Sequence, residues 1–479
     1  MTRKLFVGGR WVSAEKTFAV VDPGNGETIA EVARGGRELA HTAVESAWHA
    51  LGQWRGTTGR ARGEILSAAA SILRRRRDEV ARIITRENGK PLGQSYAEVD
   101  GSVDHLQWFS EEARRGYGRI VPQQAPGKRH LILKQPVGVV AAIAPWNFPL
   151  MLSARKVAPA LAAGCTVVLK PATKTPLCAL ILAECLEEAG VPPGVFHVVA
   201  GDTAGIGAEF MENPHCAKVS FTGSTAVGKQ LIAESARTVT RLSLELGGHA
   251  PVLIFEDADL DQAVEGALIT KFRNNGQSCI AANRIYVQRG IYRQFLERFC
   301  QRVGKMKVGY GLDEEVEIGS MVDQAGLTTA LEHIANAVES GGRVVCGGDV
   351  LDTPAGYFLK PTVIADVPAT ARCMREETFA PVAPVVSFDT EEQAIAAAND
   401  TRYGLAAYAY TRDLNRAFRL MEQIDAGSVG INDAVPSTSN CPFGGMKESG
   451  LGRELGIEGM DAFLEVKHVS MGGMDSPAQ

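Results

Sequence analysis

The pattern of apolar and polar positions changes character along the chain. Apolar residues recur at helical spacing over 37–54 and 60–86, and the small segment Gly56–Gly59 separates the two stretches. From about residue 138 onward, short β-branched runs alternate with helical stretches at intervals of roughly 20–30 residues. This alternation predicts βαβ units built around a parallel sheet, and therefore an α/β fold.

The predicted elements form two series. In the first series, strands are predicted over 138–144, 166–170, 195–199 and 218–222, with helices over 176–189 and 225–236. The second series begins with a strand at 251–255, a helix at 259–275 and a strand at 284–288. The series change near Gly247–Gly248, where we place a domain junction. An extended hairpin at 119–135 and a last strand at 463–471 belong to neither series.

Composition and charge narrow the classes of function. The chain has 479 residues, 45% of them apolar and 22% charged, which is typical of a globular protein with more than one packed unit. A net charge of −5 gives no electrostatic reason to expect nucleic acid or an anionic membrane as partner. The basic run Arg74–Arg77 lies in a helical pattern and is interpreted as a solvated face.

The compartment and metal content can also be predicted. No run approaches the roughly 18 apolar residues of a membrane span, and the first residues lack the apolar core of a signal peptide. Nine cysteines without paired spacing do not indicate a disulfide framework. Neither C-x-x-C nor H-E-x-x-H occurs, so no metal site is expected. A cytoplasmic protein is the prediction.

The segment GSTAVGK at 223–229 nearly matches a phosphate-binding P-loop. That pattern needs Ser or Thr after the lysine to hold magnesium, and Gln230 follows Lys229 here, which argues against a nucleoside triphosphatase. The segment still follows a strand and opens a helix, so its N–H groups suit a phosphate of another nucleotide. The dinucleotide fingerprint G-x-G-x-x-G is absent there and in GDTAGIG at 201–207, so glycine pattern alone leaves the cofactor open.

Three residues stand in settings that suit catalysis, although each has an ordinary structural explanation as well. Cys279 follows a predicted helix among small and polar residues, a setting that favours a thiolate. Glu245 lies in an apolar stretch, where a carboxylate is costly unless it is used or paired. Asn147 lies between two prolines after a strand and could donate to an oxyanion, or simply cap a turn. None of the three is decisive alone.

Seven short motifs, taken in order, resemble the aldehyde dehydrogenase superfamily. They are APWNFP (144–149), KPA (170–172), FTGST (221–225), LELGG (244–248), GQSC (276–279), EETFAPV (376–382) and PFGG (442–445). The resemblance runs from Phe6 to about Val469. Within that superfamily, the chain is most similar to the succinate-semialdehyde dehydrogenase branch. The segments that carry this closer resemblance are WFSEEARRGYGRI (108–120), KQPVGVVAAIAPWNFP, KFRNNGQSC and NCPFGG.

The resemblance implies a fold, domain limits and an assembly. The expected fold is a Rossmann-type cofactor domain, an α/β catalytic domain and a β oligomerisation arm. The implied limits are 1–118 with 136–246 for the cofactor domain, 247–454 for the catalytic domain, and 119–135 with 455–479 for the arm. The arm is expected to pair with another subunit, giving a homodimer or homotetramer.

The resemblance also implies a mechanism for oxidising an aldehyde to a carboxylic acid. Cys279 attacks the aldehyde to form a thiohemiacetal, whose oxyanion is stabilised by Asn147 and the Cys279 N–H. Hydride transfer leaves a thioester, and Glu245 activates water to hydrolyse it. Lys156 and Glu454 match positions that relay the proton outward, and a purely structural ion pair is the alternative for them.

The cofactor is expected to be NADP or NAD. The positions that match the family's cofactor contacts are Trp146, Asn147, Lys170, Gly223, Ser224, Leu246, Glu377 and Phe379. NAD-preferring relatives often carry Glu three residues after the lysine, where Thr173 stands here with Lys174 beside it. Because a carboxylate there would repel a 2′-phosphate, we expect NADP to be accepted and leave preference between the two open.

Arg155, Arg273 and Ser437 match the branch's carboxylate-binding positions. A guanidinium makes two parallel charge-assisted hydrogen bonds to a carboxylate, so succinate semialdehyde is the first substrate expected. The alternative for the arginines is pairing with nearby acids. Glutarate semialdehyde, 2-oxoglutarate semialdehyde and small hydroxy or aromatic aldehydes remain as other substrates.

Two other classes of function are disfavoured. Acylating relatives that release acyl-CoA usually lack the general base, so Glu245 argues against that class. The presence of Cys279, Asn147 and Glu245 together argues against a non-catalytic role.

Two departures from the family pattern stand out. Some members of the branch carry a second cysteine two residues after the nucleophile, which allows a redox switch. Ala281 occupies that position here, so no such switch is expected. Ala380 replaces the usual glycine of the E-x-F-G-P motif, which predicts a tighter backbone beside the nicotinamide.

Overall fold

The structure, a computed structural model, describes residues 2–473. The α-helices of this part are α1 (Arg37–Arg55), α2 (Gly59–Arg75), α3 (Arg77–Asn88), α4 (Leu92–Glu112), α5 (Met151–Ala163), α6 (Leu177–Glu188), α7 (Thr203–Glu212), α8 (Thr225–Ser235), α9 (Leu260–Phe272), α10 (Arg289–Val303), α11 (Gln324–Glu339), α12 (Glu391–Asn399), α13 (Leu414–Gln423) and α14 (Gly456–Asp461). Short 3-10 turns span Arg273–Gly276 and Arg372–Met374.

The strands follow the same chain order. They are β1 (Thr2–Arg3), β2 (Leu5–Val7), β3 (Arg10–Val12), β4 (Thr17–Val21), β5 (Thr28–Ala33), β6 (Arg119–Val121), β7 (Arg129–Pro136), β8 (Val139–Ile143), β9 (Thr166–Lys170), β10 (Phe196–Val198), β11 (Cys216–Thr222), β12 (Arg241–Glu245), β13 (Ala250–Ile254), β14 (Ala282–Gln288), β15 (Arg343–Cys346), β16 (Thr362–Ala365), β17 (Val382–Phe388), β18 (Tyr403–Gly404), β19 (Ala406–Tyr410), β20 (Ser428–Ile431), β21 (Met446–Lys447), β22 (Gly450–Leu451) and β23 (Leu464–Met471).

The first large sheet has the order β22-β12-β11-β8-β9-β10-β2-β3. Its central strands β12, β11, β8, β9 and β10 are parallel, as the alternation of strands and helices predicts. Alternate residues of β9 enter different clusters: Val167 and Leu169 pack with α5 and α6, and Val168 packs with α1 and α7. Helices therefore cover both faces, which explains why β8 and the middle of β9 are apolar on both faces.

The second large sheet has the order β15-β16-β17-β14-β13-β19-β20 and is parallel except for β15. The chain passes from β12 of the first sheet to β13 of the second through Gly247–Gly248, where the sequence predicts the junction. Strand β22 then returns to pair with β12. The limits of the three domains themselves stay a prediction.

The segments that the sequence assigns to neither series form a separate three-stranded sheet. Strand β7 pairs antiparallel with β6 on one side and with β23 on the other, in register from Leu464 opposite Pro136 to Met471 opposite Arg129. The extended hairpin at 119–135 and the last strand at 463–471 are confirmed. Residues 474–479 of the predicted arm lie outside the described residues.

Two expectations about helices need correction. The helical stretch predicted over 60–86 is two helices, because Arg76 leaves helical geometry at φ −92° and ψ 13°, and its guanidinium pairs with Glu79 and Glu184. The run Arg74–Arg77 is thus a helix junction with ion pairs to neighbouring acids, and not one solvated helix face. The helix predicted over 259–275 ends at Phe272. Among residues 2–473, no helix is long and apolar enough to cross a membrane.

Candidate active site

The carboxyl ends of the parallel strands of the first sheet gather four of the predicted site residues. Lys170 and Glu245 are the last residues of β9 and β12, Gly223 follows β11 directly, and Asn147 lies in the loop four residues after β8. This edge is where α/β sheets bind their ligands, because strands point side chains and loops there from several places in the sequence. Cys279 approaches the edge from the second sheet, just before β14.

A tight turn delivers Cys279 to this edge. Asn274, Asn275 and Gly276 have φ values of 55°, 57° and 73°, which end the helix before the cysteine. Asn tolerates this left-handed geometry, and a Cβ on Gly276 would lie 2.2 Å from the Ala380 carbonyl oxygen. The Asn275 side chain fixes the turn, since its Nδ2 donates to the Ser320 carbonyl at 2.9 Å. This close approach also places Ala380, the residue that replaces the family's glycine, directly against the nucleophile loop.

Cys279 lies between two cavities. One has a volume of about 140 Å³ and contains the predicted substrate residues Arg155, Arg273 and Ser437 in its wall. The other, about 210 Å³, contains residues predicted to hold the cofactor. Cys279 lines both, so a thiol at this point can reach an aldehyde on one side and a hydride acceptor on the other.

Burial, and next the charge of Glu377, raise the pKa of the Cys279 thiol to about 12. The Arg155 guanidinium acts in the opposite direction and favours the thiolate. The thiol is therefore protonated at neutral pH in the free protein, and a positive charge brought close to it would favour the nucleophilic form.

The Asn147 side chain is buried and lies against the loop that carries Cys279. Its Nδ2 donates to the carbonyl oxygen of Gln277 at 3.2 Å, two residues before the cysteine. An amide nitrogen carries two hydrogens, so one N–H remains for a ligand at Cys279. The Cys279 N–H is the second donor that the family mechanism implies.

Glu245 is buried between Thr222 of β11 and Gly450 of β22. Its Oε2 has no hydrogen-bond partner among the described residues. Burial raises the pKa of this carboxyl well above its usual range, the charge of Glu454 adds to the effect, and Lys156 and Arg155 oppose it. A carboxyl with a raised pKa and a free oxygen is suited to accept a proton from water.

Lys156 and Glu454 form a buried ion pair, with Nζ and Oε1 2.5 Å apart. The second oxygen of Glu454 lies 3.9 Å from Arg155 Nε, and neither of these two atoms has a hydrogen-bond partner among residues 2–473. The structure thus joins Lys156 and Glu454 as an ion pair, and the pair influences the pKa of Glu245. Both the relay and the structural role predicted for the pair are compatible with this geometry.

The 210 Å³ cavity brings together most of the predicted cofactor residues. It is lined by Trp146, Asn147, Gly223, Ser224, Leu246, Glu377 and Phe379, among others. The rings of Trp146 and Phe379 meet edge to face with centroids 5.4 Å apart. Glu377 accepts a hydrogen bond from the Gly248 N–H at 3.0 Å, and burial raises its pKa to about 7.

The start of helix α8 opens into the same cavity. Ser224 caps the helix, since its Oγ accepts from the Val227 N–H at 3.4 Å. A Cβ on Gly223 would lie 2.3 Å from the Phe221 ring, so a larger residue here would displace that ring. The free N–H groups at this helix start are suited to a phosphate, and this observation supports a fit to a nicotinamide dinucleotide.

Lys170 and Thr173, which were also predicted to contact the cofactor, do not line the 210 Å³ cavity. Lys170 is buried at the end of β9, outside the wall of the 210 Å³ cavity, and burial lowers the pKa of its ammonium to about 8. Thr173 lines a different cavity of about 660 Å³. Lys174 in that cavity pairs with Asp323, so its charge is already partnered.

The 140 Å³ cavity beside Cys279 is called the substrate cavity below, because the predicted substrate residues line it. Its two guanidinium groups have few hydrogen-bond or ion-pair partners. Arg273 makes no ion pair and no side-chain hydrogen bond with the described residues, and its Cζ lies 5.5 Å from the centroid of the Phe148 ring. Arg155 Cζ lies 4.7 Å from the centroid of the Phe443 ring. The pairing with nearby acids that was the alternative for the arginines is thus absent for Arg273 and loose for Arg155.

One hydrogen-bonded row of polar side chains in the wall of the substrate cavity was not predicted from the sequence. Ser439 Oγ donates to Asp104, and His105 Nδ1 lies 2.7 Å from the same Oγ. Because the single hydroxyl hydrogen is used on the carboxylate, His105 must donate from Nδ1, which leaves Nε2 unprotonated. Burial, and next the Arg155 charge, lower the pKa of His105 well below its usual range. A lone histidine in a helical stretch gives no signal of this in the sequence.

Comparisons with known proteins point to the same family as the motifs that form this site. Residues 11–469 match the aldehyde dehydrogenase family. The NADP-dependent succinate-semialdehyde dehydrogenase of Escherichia coli is 47% identical over 98% of both chains, and the glutarate-semialdehyde dehydrogenase of Pseudomonas aeruginosa is also 47% identical over 98% of both chains. A crystal structure of an NADP-dependent enzyme from E. coli has a TM-score of 0.97 at 46% identity, covering 98% of each chain.

These matches span nearly the whole chain and include the segments that carry Asn147, Glu245 and Cys279. The α/β fold predicted from the sequence is confirmed by a structural neighbour of the same architecture. The protein belongs to the aldehyde dehydrogenase family.

Proposed function

We propose that the protein oxidises a short aldehyde with a distal carboxylate to the dicarboxylic acid, with NADP or NAD as oxidant and succinate semialdehyde as the first substrate. The observation that carries this proposal is the pair of arginines in the cavity beside Cys279. Arg273 is half-buried there and has no anionic partner among the described residues, and removing an unpaired cation from water is costly. A substrate carboxylate would supply the missing partner.

Binding the distal carboxylate places the aldehyde at the nucleophile. Arg155, Arg273 and Ser437 line the same small cavity as Cys279, so a short chain can span from the guanidiniums to the thiol. Binding energy from the remote carboxylate thereby orients the carbonyl for attack. The Cys279 thiol releases its proton to solvent and its sulfur adds to the carbonyl carbon. Asn147 Nδ2 and the Cys279 N–H then stabilise the oxyanion by about 3–4 kcal/mol per donor.

NADP or NAD bound beside Cys279 would supply the hydride acceptor for the oxidation. Trp146, Gly223, Ser224, Leu246, Glu377 and Phe379 would hold it, in the cavity that shares Cys279 with the substrate side. Glu377 is fixed by the Gly248 N–H and can accept from a ribose hydroxyl. Lys170 would contact the adenosine half from the end of β9.

Hydrolysis of the thioester is the work of Glu245. Its free Oε2 takes a proton from a water molecule, which attacks the acyl carbon and releases the carboxylic acid from Cys279. General-base catalysis of this kind contributes on the order of 10²–10⁴-fold. Lys156 and Glu454 form a buried ion pair whose charges act on Glu245, and we propose that the proton leaves the buried site through this pair.

The relatives support both the favoured substrate and a second candidate. The E. coli relative is named for succinate semialdehyde and the P. aeruginosa relative for glutarate semialdehyde, at equal identity. Both are aldehydes with a distal carboxylate and differ by one methylene, which a pocket discriminates only about 10- to 200-fold. Glutarate semialdehyde is therefore the second candidate.

A panel of aldehydes tests the proposal. The purified protein is assayed with succinate semialdehyde, glutarate semialdehyde, 2-oxoglutarate semialdehyde, butanal and an aromatic aldehyde, each with NAD and NADP, by the absorbance of the reduced cofactor. Succinate semialdehyde and glutarate semialdehyde should have the highest kcat/KM. Equal or higher kcat/KM for butanal would contradict the proposal.

The same proposal includes a homo-oligomer, a homodimer or homotetramer formed through the arm, in the cytoplasm. Ile120 and Val466 of the arm are 75% and 66% exposed, and the outer edge of β23 has no partner strand in the described part of the chain. Apolar side chains on an open strand edge favour pairing with another chain. Sedimentation that detects only monomer at micromolar concentration would overturn this part.

A further inference from the structure

A buried ion pair lies behind the residue proposed to bind the oxyanion. Helix α3 ends at Gly89, whose φ of 90° turns the following Lys90 inward. The Lys90 side chain is completely buried, and its Nζ lies 2.6 Å from Glu98 Oε2. The mechanism described above uses neither residue.

Lys90 Nζ makes a second hydrogen bond, to the main-chain carbonyl oxygen of Asn147 at 2.7 Å. The same oxygen accepts from Asn274 Nδ2 at 2.9 Å, in the turn that leads to Cys279. A carbonyl oxygen has two acceptor positions, and here a charged donor and an amide occupy both. The peptide group after Asn147 is thus held from two sides.

Glu98 fixes the next part of the same segment. Its Oε1 accepts from the N–H groups of Leu150 and Met151 at 3.0 and 3.2 Å, at the start of helix α5. Four N–H groups at a helix start lack partners within the helix, and this carboxylate serves two of them. Helix α5 carries Arg155 and Lys156, so Glu98 also anchors the helix that presents them.

The ammonium group also contacts the side chain between these two anchors. Lys90 Nζ lies 4.1 Å from the centroid of the Phe148 ring, and Phe148 lines the substrate cavity. The ion pair therefore contacts three consecutive features of the 147–151 segment: the Asn147 carbonyl, the Phe148 ring and the helix start.

Buried ion pairs contribute little net stability, because the cost of removing two charges from water offsets their attraction. What they do supply is fixed geometry, since each charge leaves only one low-energy arrangement of the groups around it. An Asn147 amide that must meet an oxyanion within a fraction of an ångström needs such a fixed backbone.

We propose that the Lys90–Glu98 ion pair is a positioning device for the oxyanion site, which holds the 147–151 backbone so that the Asn147 amide faces the carbonyl bound at Cys279. This inference rests on the proposed role of Asn147. Lys90 and Glu98 touch neither substrate nor cofactor in this proposal and act through Asn147.

A double-mutant cycle tests the proposal. Lys90→Met alone leaves Glu98 without a partner and could fail to fold, so the pair is removed together as Lys90→Met with Glu98→Gln. The rate of the first turnover of hydride transfer is measured for this variant, for Asn147→Ala and for their combination. We expect a loss of about 10- to 100-fold for the pair variant, a larger loss for Asn147→Ala, and almost no further loss in the combination.

Two further measurements separate positioning from general damage. Alkylation of Cys279 by iodoacetamide involves no oxyanion, so its rate should stay unchanged in the pair variant. Arg62→Met is the matched control, because Arg62 is a partly buried cation that donates to the main-chain carbonyl of Ala162 at 2.8 Å, away from Cys279. Its first-turnover rate should equal that of the unmodified protein.

The outcomes distinguish this proposal from the one on which it rests. Additive losses in the cycle, or a pair variant with an unchanged first-turnover rate, would overturn the positioning role. A pair variant that alkylates as slowly as it transfers hydride would show general disruption of the site and would overturn it as well. If Asn147→Ala itself leaves the first turnover unchanged, the oxyanion role of Asn147 is the part that fails.

Discussion

Arg155 Nε lies 3.9 Å from Glu454 Oε2, so the arginine proposed to bind substrate also approaches the buried ion pair behind the general base. Its positive charge lowers the pKa of both Glu245 and Cys279. Arg273 lies in the same cavity and, among the described residues, forms no ion pair with Glu454 or any other acid. The two arginines are therefore expected to respond differently to substitution.

Arg273→Ala should weaken the enzyme for carboxylate-bearing aldehydes only. We expect kcat/KM for succinate semialdehyde to fall by ~1.5–3 kcal/mol, the range for a hydrogen bond to a charged group. Butanal, which has no carboxylate, serves as the control and should change little. Equal losses on both aldehydes in steady-state assays would show that Arg273 is structural.

Arg155→Ala should produce the same substrate effect and shift the pH dependence as well. Removing the guanidinium takes away a charge that favours the ionised forms of Glu245 and Cys279, so both pKa values should rise. The rising limb of the profile of kcat/KM against pH should then move to higher pH for butanal and succinate semialdehyde alike. A profile that stays in place on both aldehydes would contradict the link to Glu454.

Cys279→Ala should abolish oxidation. Glu245→Gln should separate hydride transfer from hydrolysis of the thioester. Without the base, hydride transfer still occurs but the thioester persists, which gives a burst of reduced cofactor followed by slow turnover. Rapid-mixing measurements of reduced cofactor detect the burst. Loss of the burst together with turnover would mean that Glu245 also activates the thiol.

In the unmodified protein, hydrolysis of the thioester should speed up as pH rises. Burial raises the pKa of Glu245, so the carboxylate form that accepts the proton increases only as pH passes above its usual range. Glu245→Gln removes this group and should make the slow phase insensitive to pH over the same range.

Thr173→Glu should lower the preference for NADP over NAD. A carboxylate about 4 Å from a 2′-phosphate costs up to roughly 4 kcal/mol at an effective dielectric of 20. The ratio of KM values for the two cofactors measures the change. Because Thr173 borders the 660 Å³ cavity and Lys174 is paired with Asp323, an unchanged ratio would place the phosphate elsewhere.

The lowered pKa of Lys170 predicts that cofactor binding depends on pH. Burial lowers the pKa of its ammonium to about 8, so the charged form decreases as pH rises through that value. An anionic cofactor prefers the charged form, and KM for NADP should therefore increase above pH 8. Lys170→Met should have a higher KM that no longer changes there, and a dependence that persists in this variant would assign it to another group.

The sequence by itself predicted the fold class and the order of its parts. Hydrophobic period and the positions of glycine and proline, which are local properties, predicted four strands of the first sheet (β8 to β11) and two of the second (β13 and β14). They also predicted the junction at Gly247–Gly248 and the hairpin and last strand that belong to neither series. The other strands of the two sheets were not predicted. Local rules failed where distant contacts decide the backbone. Asn274 and Asn275 look helical in sequence, and the helix ends before them because Gly276 must pass close to Ala380.

The site shows the same division. Ordered motifs identified Asn147, Glu245 and Cys279 as candidates, since their chemistry requires particular residue types in fixed settings. Only the tertiary structure decided what these residues contact: Cys279 between two cavities, and Lys90 against the Asn147 carbonyl 57 residues away. The physical reason is that hydrogen bonds and charges act across space. Their partners come from different strands and helices, and no pattern along one segment records which of them meet.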